Sequence, residues 1–451
     1  MAGPQDANGF KDTDIGPIPV EWEVMRLGAV FKIQQGKSLS RKYQQGISPY
    51  PFLRTANVRW GRIDLSKVDE MDFTNAEVEK YALRPRDLLV CEGGEIGRTA
   101  IWQLDTGTYC YQNHLHRLRP TREDILPLFY MYWMQAAFLL LNTYHGVGVK
   151  TTIANLSRSR LSRFLLPKPP PPEQRRIAHV LSTIQRAIAA QGDVIAAAKE
   201  TKRSLMHRLF TYGPGPEPAP TRETEIGEIP EHWEVVPLGD LIEIASGQVD
   251  PRVLPYRKMV HIGPADIEEG TGRVLSPKTA EELGLKSGKY QFTPDDVVYS
   301  KIRPYLRKAM LPDFTGICSA DMYPLRPKGR MSDRRYLYYL LLSDIFTQQA
   351  VPHQQRTGIP KINRNQLRSV YVPLPGNGRE QSEIADMLDS IERKIGAEQQ
   401  RKAALQALFQ SMLQQLMTGQ LRISRVGAGL KPAPTSQPAP TDRGTDAQHT
   451  G

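Results

Sequence analysis

Between Glu173 and Phe210 apolar and polar residues alternate with a period near three and a half. Ile177, Leu181, Ile184, Ile188, Ile195, Ala198, Leu205 and Leu209 recur at steps of four and three, with Gln191 and Lys202 as the polar positions of the series. That spacing lays a narrow apolar stripe along a slightly underwound helix, which can bury it only against a second helix of the same kind. The second stripe lies 207 residues further on: Ile384, Leu388, Ile391, Ile395, Leu405, Phe409, Met412 and Leu416, with Glu398 and Lys402 polar. At 1.5 Å per residue each helix is roughly 55–60 Å long, the dimension of a spacer.

The stripes belong to a larger repeat. The phrase Ile15-Gly-Pro-Ile-Pro-Val-Glu-Trp-Glu-Val-Met-Arg-Leu-Gly28 returns as Ile226-Gly-Glu-Ile-Pro-Glu-His-Trp-Glu-Val-Val-Pro-Leu-Gly239, identical at nine of fourteen positions. An internal duplication governs how everything else is read. Pro85 to Val90 matches Pro294 to Tyr299, each a turn feeding a buried strand. Arg98 and Ala100 match Arg307 and Ala309, and Leu118-Arg-Pro120 matches Leu325-Arg-Pro327. An aromatic helix over Leu128 to Leu141 matches Arg335 to Leu342. Ile153 to Pro167 matches Ile359 to Pro373, a short polar helix running into a Pro-ended strand. Glu173-Gln174 and Glu380-Gln381 then open the two long helices.

Each half is therefore a strand-rich α+β unit followed by one long helix. The boundaries read as 15–168 for the first unit, 169–212 for its helix, 213–225 for a stiff Pro/Gly linker, 226–375 for the second unit and 376–423 for the second helix. The tail 424–451 has too little apolar content to fold. Antiparallel pairing of the helices would place the globular units at opposite ends about a pseudo-two-fold axis. Parallel pairing is the alternative, which the short linker disfavours.

Charge now selects a partner. A net charge of +11 over 451 residues points to a polyanion, nucleic acid first. Three cysteines, Cys91, Cys110 and Cys318, with no C-x-x-C, indicate neither a disulfide framework nor a zinc ribbon and fit a reducing cytoplasm. The N-terminus shows no signal-like apolar run, and Leu128 to Leu141 is too short to span a bilayer. A duplex presents successive major-groove faces about 34 Å apart, so two basic modules on a spacer can read two separated segments.

The expected DNA contacts are polar loop clusters. In the first half they are Gln35, Lys37, Ser38, Arg41, Lys42, Tyr43, Arg54, Asn57, Arg59, Lys150, Thr151 and Thr152. In the second they are Arg252, Arg257, Lys258, Lys301, Arg303, Tyr305, Gln354, Gln355, Arg356 and Thr357. Arginine suits guanine, Asn and Gln suit adenine, and Lys and Thr suit phosphate. Taken singly, each also reads as an ordinary solvated surface residue.

Catalytic motifs fail on inspection. Gly36-Lys37-Ser38 mimics the end of a phosphate loop, but Phe31 stands where that loop needs glycine. His114, His116 and Cys110 have no fourth metal ligand. Pro169 to Pro172 lacks the flanking residues of an amino-methyltransferase motif and reads as the start of the helix. Pro294-Asp295 with Lys301 mimics a nuclease, but Tyr299 replaces the second carboxylate.

These phrases together resemble the specificity (S) subunits of type I restriction-modification systems. The resemblance rests on Ile-Pro-x-x-Trp-Glu-Val in each unit, Asp296-Val-Val-Tyr-Ser-Lys-Ile-Arg-Pro-Tyr-Leu306, Pro171-Pro-Glu-Gln174 and Leu416-Met-Thr-Gly-Gln-Leu421, and spans Ile15 to Ile423. The sequence departs from the pattern at Gly376-Asn-Gly-Arg-Glu-Gln381, which lacks Pro-Pro before Glu-Gln. The resemblance implies two target recognition domains reading the halves of a bipartite asymmetric site in double-stranded DNA, held apart by an antiparallel coiled coil. It implies two modification (methyltransferase) subunits that use S-adenosylmethionine to methylate adenine N6. Restriction (ATP-dependent translocase/nuclease) subunits would use ATP and magnesium. This chain itself would hold no cofactor or metal, catalyse nothing and have no membrane role. The competing readings are an independent methyltransferase-nuclease, which needs a cofactor loop, and a coiled-coil adaptor, against which the basic charge argues.

Overall fold

Two long helices, Pro171–Tyr212 and Gly378–Met417, carry the apolar stripes. The computed structural model describes residues 9–40, 46–141, 143, 155–352 and 359–423. The chain divides into two units: Met1–Ile188 with Ala404–Gly451, and Ala189–Ala403. The boundary cuts through both long helices, so each unit holds the start of one helix and the end of the other.

In the first unit Ile177, Ala178 and Leu181 share a core with Phe409, Leu413, Leu416 and Met417. In the second, Met206, Leu209 and Phe210 share one with Ile384, Ala385 and Leu388. Start lies against end in both, so the paired segments run antiparallel. Every residue of the two stripes is buried or half-buried. The polar positions bond within the second unit: Gln191 Nε2 donates to Glu398 Oε2 at 2.5 Å, and Lys202 pairs with Glu392.

The repeated phrases turn out to be the joints of each unit. The strand Glu23–Arg26 pairs antiparallel with Leu165–Lys168, and Glu234–Pro237 with Tyr371–Leu374. The Trp22 indole N–H donates to Glu173 at 3.0 Å, and that of Trp233 to Glu380 at 2.7 Å. Trp-Glu-Val and Glu-Gln therefore recur together because one locks the other. The glutamine beside each glutamate, Gln174 or Gln381, is fully buried and holds the backbone of the loop before the aromatic helix. Arg119 clamps Asp87 at 2.7 Å and Arg326 clamps Asp296 at 3.0 Å, closing the turn before the buried strand. The duplication also begins earlier than Ile15 and Ile226: the Thr13 and Thr224 hydroxyls each donate to the carbonyl of a left-handed glycine, Gly16 or Gly227, at 2.6 Å.

One four-stranded antiparallel sheet anchors each unit. Its order is Thr99–Ile101, Leu88–Cys91, Leu115–Pro120, Phe31–Gln35 in the first. In the second it is Ala309–Met310, Val297–Ser300, Met322–Pro327, Ile242–Ile244. The helix Pro127–Leu139 joins this sheet and the long helices in one core, which is why it is apolar nearly all round. Smaller sheets complete the units: Cys110–Tyr111, Pro49–Leu53, Asp69–Asp72 in the first, and Lys278–Thr279, Val260–Ile262, Gly316–Cys318, Tyr290–Phe292 in the second.

Two sequence boundaries shift. Residues 213–225 are not all linker: Thr221–Thr224 is a strand paired with Gly227–Pro230, and the Arg208 guanidinium donates to Gly215 O at 2.8 Å. A local hairpin partner, invisible to composition, captures the end of the Pro-rich run. At the second helix, where Pro-Pro is missing, Asn377 caps instead, accepting from Glu380 N–H at 3.0 Å. Gly378 stands where a side chain would collide with Ser332. The expected tail 424–451 lies outside the described residues.

Candidate nucleic-acid interface

Antiparallel pairing brings the ends of three strands of each main sheet together. In the first unit these are Gln35, Cys91 and Leu115; in the second, Ile244, Ser300 and Met322. The loops leaving this sheet end carry most of the expected contacts. Residues 41–45, 144–154 and 353–358 are not among those described. Arg41, Lys42, Tyr43, Lys150, Thr151, Thr152, Gln354, Gln355, Arg356 and Thr357 therefore lie outside the described residues.

The two sheet ends share a scaffold. Leu156 N–H donates to Glu92 O at 2.8 Å in the first unit, and Ile362 N–H to Lys301 O at 2.9 Å in the second. The side chains on that scaffold differ. Gln35 Nε2 donates to Glu92 Oε2 and to Asn113 O, both at 3.0 Å. In the second unit Lys301 lies 3.6 Å from Asp321 and 5.4 Å from the centre of the Tyr323 ring. A carboxylate and an ammonium thus occupy the same place.

Beside Lys301, Arg303 is exposed and held in the left-handed region at φ 48°, with its N–H donating to Pro360 O at 2.7 Å. Such a conformation costs a non-glycine residue about 1 kcal/mol or more and is concentrated at functional positions. Tyr305 is 48% exposed two residues later. Lys361 is exposed next to them, bridged through Ile302, and Arg364 stacks 5.1 Å from the Tyr323 ring while donating to Ile244 O at 3.2 Å. Sequence reasoning missed Lys361 and Arg364, although Lys361-Ile-Asn-Arg364 is as basic as the clusters it chose.

Other expected contacts point elsewhere. Lys37 is 5% exposed, with its ammonium 2.7 Å from Glu77 and donating to Asp72 O, so it ties two parts of its own unit together. Asn57 is also buried, accepting from Arg54 N–H and donating to the carbonyls of Asp64 and Lys67. In both, the polar groups are taken up by internal backbone and carboxylate. Arg54 pairs with Asp69 at 2.8 Å. Arg59 is exposed on the hairpin Val58–Arg59 with Arg62–Ile63, which lies against the loop after Cys91: Gly61 N–H donates to Thr99 O at 2.9 Å and the Trp60 indole N–H to Glu95 at 2.5 Å. Ser38 is exposed beside Lys37. Arg252 is exposed and held by Asp250 at 2.7 Å, Arg257 lies 3.5 Å from Glu281, and Lys258 is exposed.

Two histidines are buried near these loops. Burial pushes His116 below its ordinary range despite its bond to Leu156 O and the nearby Glu92. Burial, and then the charge of Lys289, lowers His261, neither nitrogen of which has a partner among the described residues. Neither is arranged with His114 or a cysteine as a metal site: no group of three or more His, Cys, Asp or Glu among the described residues could hold an ion. No described helix is long and apolar enough to cross a membrane.

Comparison with known proteins gives consistent matches. A family profile described as the type I restriction modification DNA specificity domain matches residues 19–199 and again 230–407. The chain is 26% identical over 434 residues to the type I restriction enzyme EcoDI specificity subunit of Escherichia coli, covering 90% of each. It is 26% identical over 440 residues to the type I restriction enzyme MjaVIII specificity subunit of Methanocaldococcus jannaschii, covering 92% of this chain and 97% of that one. Among solved structures, a chain from a type I R-M system complex aligns at TM-score 0.55 and 19% identity, covering 90% of this chain and 99% of that one. The S subunit from M. genitalium aligns at TM-score 0.51 and 14% identity, covering 88% and 96%.

Proposed function

We propose a function that proceeds from one premise: the chain belongs to the family of type I restriction modification DNA specificity domains and carries the domain twice. It is the non-catalytic DNA-recognition subunit of a type I restriction-modification complex. Each unit reads one half of a bipartite target through its sheet end. The observation that carries this is the exchange of Glu92 for Lys301 at one backbone position with the same bonding to the following loop. A scaffold kept constant under opposite charges is suited to reading two different half-sites, because base edges are distinguished by donor and acceptor pattern. The target is therefore asymmetric.

In the second unit the contacts are Lys301, Arg303, Tyr305, Lys361 and residues 354–357, with Arg252, Arg257 and Lys258 from the loop before Val260. In the first unit they are Gln35, Ser38, residues 41–43 and 150–152. Arg54 and Arg59 add positive field beside them. Two modification subunits bind the shared parts of the two units and methylate adenine N6 with S-adenosylmethionine. Restriction subunits, using ATP and magnesium, complete the cleaving complex. The assembly works in the cytoplasm, where its DNA is.

The test is a methylome read by single-molecule sequencing of a host that supplies active modification subunits, with and without this gene. An asymmetric bipartite motif carrying N6-methyladenine only when the gene is present is expected. A gene-dependent motif that is palindromic would refute the assignment of different half-sites, and no gene-dependent motif would refute the function.

A further inference from the structure

The helix Arg158–Arg163 of the first unit carries three arginines in six residues, Arg158, Arg160 and Arg163, and all three are exposed. Among the described residues their side-chain bonds are local: Arg160 donates to Asn155 O at 3.2 Å and Arg163 to Ser159 O at 3.3 Å. Helix stability accounts for Arg160 and Arg163, which lie in the last turn, where free carbonyls favour a cation. It does not account for Arg158, which opens the helix directly after Ser157, where free N–H groups disfavour one. In the second unit the residue at this position is satisfied internally. Arg364 is half-buried, lies 5.3 Å from the Tyr290 ring and 5.1 Å from that of Tyr323, and donates to the carbonyls of Ile244 and Ala245. His116 stands in the place of Tyr323 in the first unit, and Arg158 keeps its charge in solvent.

The surroundings do not neutralise these charges. Of the two elements packed most heavily against the helix, Leu27–Val30 carries no charge and Phe31–Gln35 adds Lys32. Arg26 is exposed across from Leu165. The acids beside these strands have other partners: Glu92 is buried and accepts from Gln35, and Glu23 pairs with Lys168 at 3.4 Å. In the second unit Gln366 and Ser369 replace Arg160 and Arg163, and Asp240 and Glu243 replace Ala29 and Lys32. Arg368, at the place of Ser162, adds one exposed cation there.

The helix is fixed to the sheet end by the bond from Leu156 N–H to Glu92 O, so Arg158 starts beside the loops assigned to base reading. Burial lowers His116 at that sheet end, and the charge of Arg158 lowers it further. At 1.5 Å per residue Arg163 follows about 7.5 Å beyond Arg158, about two steps of 3.4 Å along one strand of a duplex. We propose that Arg158, Arg160 and Arg163 clamp the phosphate backbone beside the first half-site and take no part in reading its bases. This rests on the reading that the first unit binds DNA through its sheet end. Like charges crowded on so short a helix repel one another until a polyanion takes the place of their counterions.

The test uses the full chain in complex with its modification subunits and two duplexes of equal length, with and without the motif found in the methylome. Arg158→Gln, Arg160→Gln and Arg163→Gln together should make the slope of log K against log salt shallower by about 2–3 on both duplexes, and Arg160→Gln singly by about 1. Both duplexes should lose affinity by the same factor, and the methylated motif should stay as it was. Lysine at all three positions keeps the charge and should hold the slope within about 0.5 of the parent. An unchanged slope in the glutamine variants, or one that lysine does not restore, overturns the clamp while a gene-dependent motif leaves the sheet-end reading standing. A loss confined to the motif duplex, or an altered motif, makes these arginines base readers and overturns it as well. Loss of the modification subunits from the complex with the slope unchanged assigns the helix to protein docking instead. A parent complex with neither motif preference nor salt-dependent binding overturns both readings.

Discussion

Gln174 offers the sharpest test of how each unit is held to its helix. Its side chain is fully buried and makes three backbone bonds: Oε1 accepts from Leu126 N–H at 2.9 Å, and Nε2 donates to Asp124 O at 3.0 Å and to Pro169 O at 2.9 Å. Gln174→Ala leaves one N–H and two carbonyls without their partner. A typical hydrogen bond contributes about 1 kcal/mol net, and a stranded buried group costs about 1–3, so the loss should be about 3 kcal/mol. For a unit of this size that lowers the melting temperature by roughly 6–12 °C. Gln174→Glu keeps the acceptor but turns a carboxylate toward two carbonyl oxygens. It should be at least as damaging at pH 7 and partly recover near pH 4, where the side chain regains a proton to donate. Gln410→Ala, at an exposed position in the same unit, should stay within about 0.5 kcal/mol. The assay is thermal and urea unfolding of the full chain, with hydrogen exchange of the peptide covering residues 122–140 to localise the effect. A melting shift below about 2 °C for Gln174→Ala, with exchange in that peptide unchanged, would refute the reasoning.

Three further perturbations follow from the same structure. His261 is held neutral by burial, so its contribution is fully present above the ordinary histidine range near pH 6.5. It is lost as pH falls through that range toward the lowered folded value, because the unfolded chain takes the proton first. His261→Phe, the residue found at the equivalent position 52, should flatten this acid loss between pH 7.5 and 5.5 in urea titrations, and an unchanged slope would count against it; His116 retains its own share in the first unit. Lys202→Met should cost about 1–3 kcal/mol by leaving Glu392 half-buried and unpaired, whereas Lys202→Met with Glu392→Met should return to within about 1 kcal/mol of the parent in thermal melts. Arg303→Ala, measured as the complex with modification subunits, should weaken binding and either make the salt slope of log K shallower by about 1 or relax discrimination at one base pair; if both stay as they were, Arg303 is not a contact.

The fold was legible where its causes are local or repeated. The 3.5-residue period of the two stripes and the return of Ile-Pro-x-x-Trp-Glu-Val are properties of the string itself, and both mark real joints: Trp22 with Glu173, Trp233 with Glu380. The candidate site was less legible because polar residues do two jobs. Lys37 and Ser38 are neighbours in the chain, yet Glu77, forty residues on, draws Lys37 inward and leaves Ser38 outside. Asn57 looked like an adenine reader and is the cap of its own turn. Which unit each part of a long helix completes is not written locally either, since no signal in the string says that residues 404–423 pack with the first unit rather than the second.

That last feature bears on how the protein is made. The first unit draws Phe409, Leu413, Leu416 and Met417 into its core, seats Gly419 against Pro19 and Trp22, and ties Arg422 to Glu21 and Glu173. On the ribosome the first unit must wait, incomplete, until residues 404–423 have been translated, whereas the second unit already has all its parts. A nonsense codon shortly after Ala403 would therefore injure the beginning of the protein and spare its middle. Its signature would be protease cleavage in residues 15–168 with 226–375 still resistant.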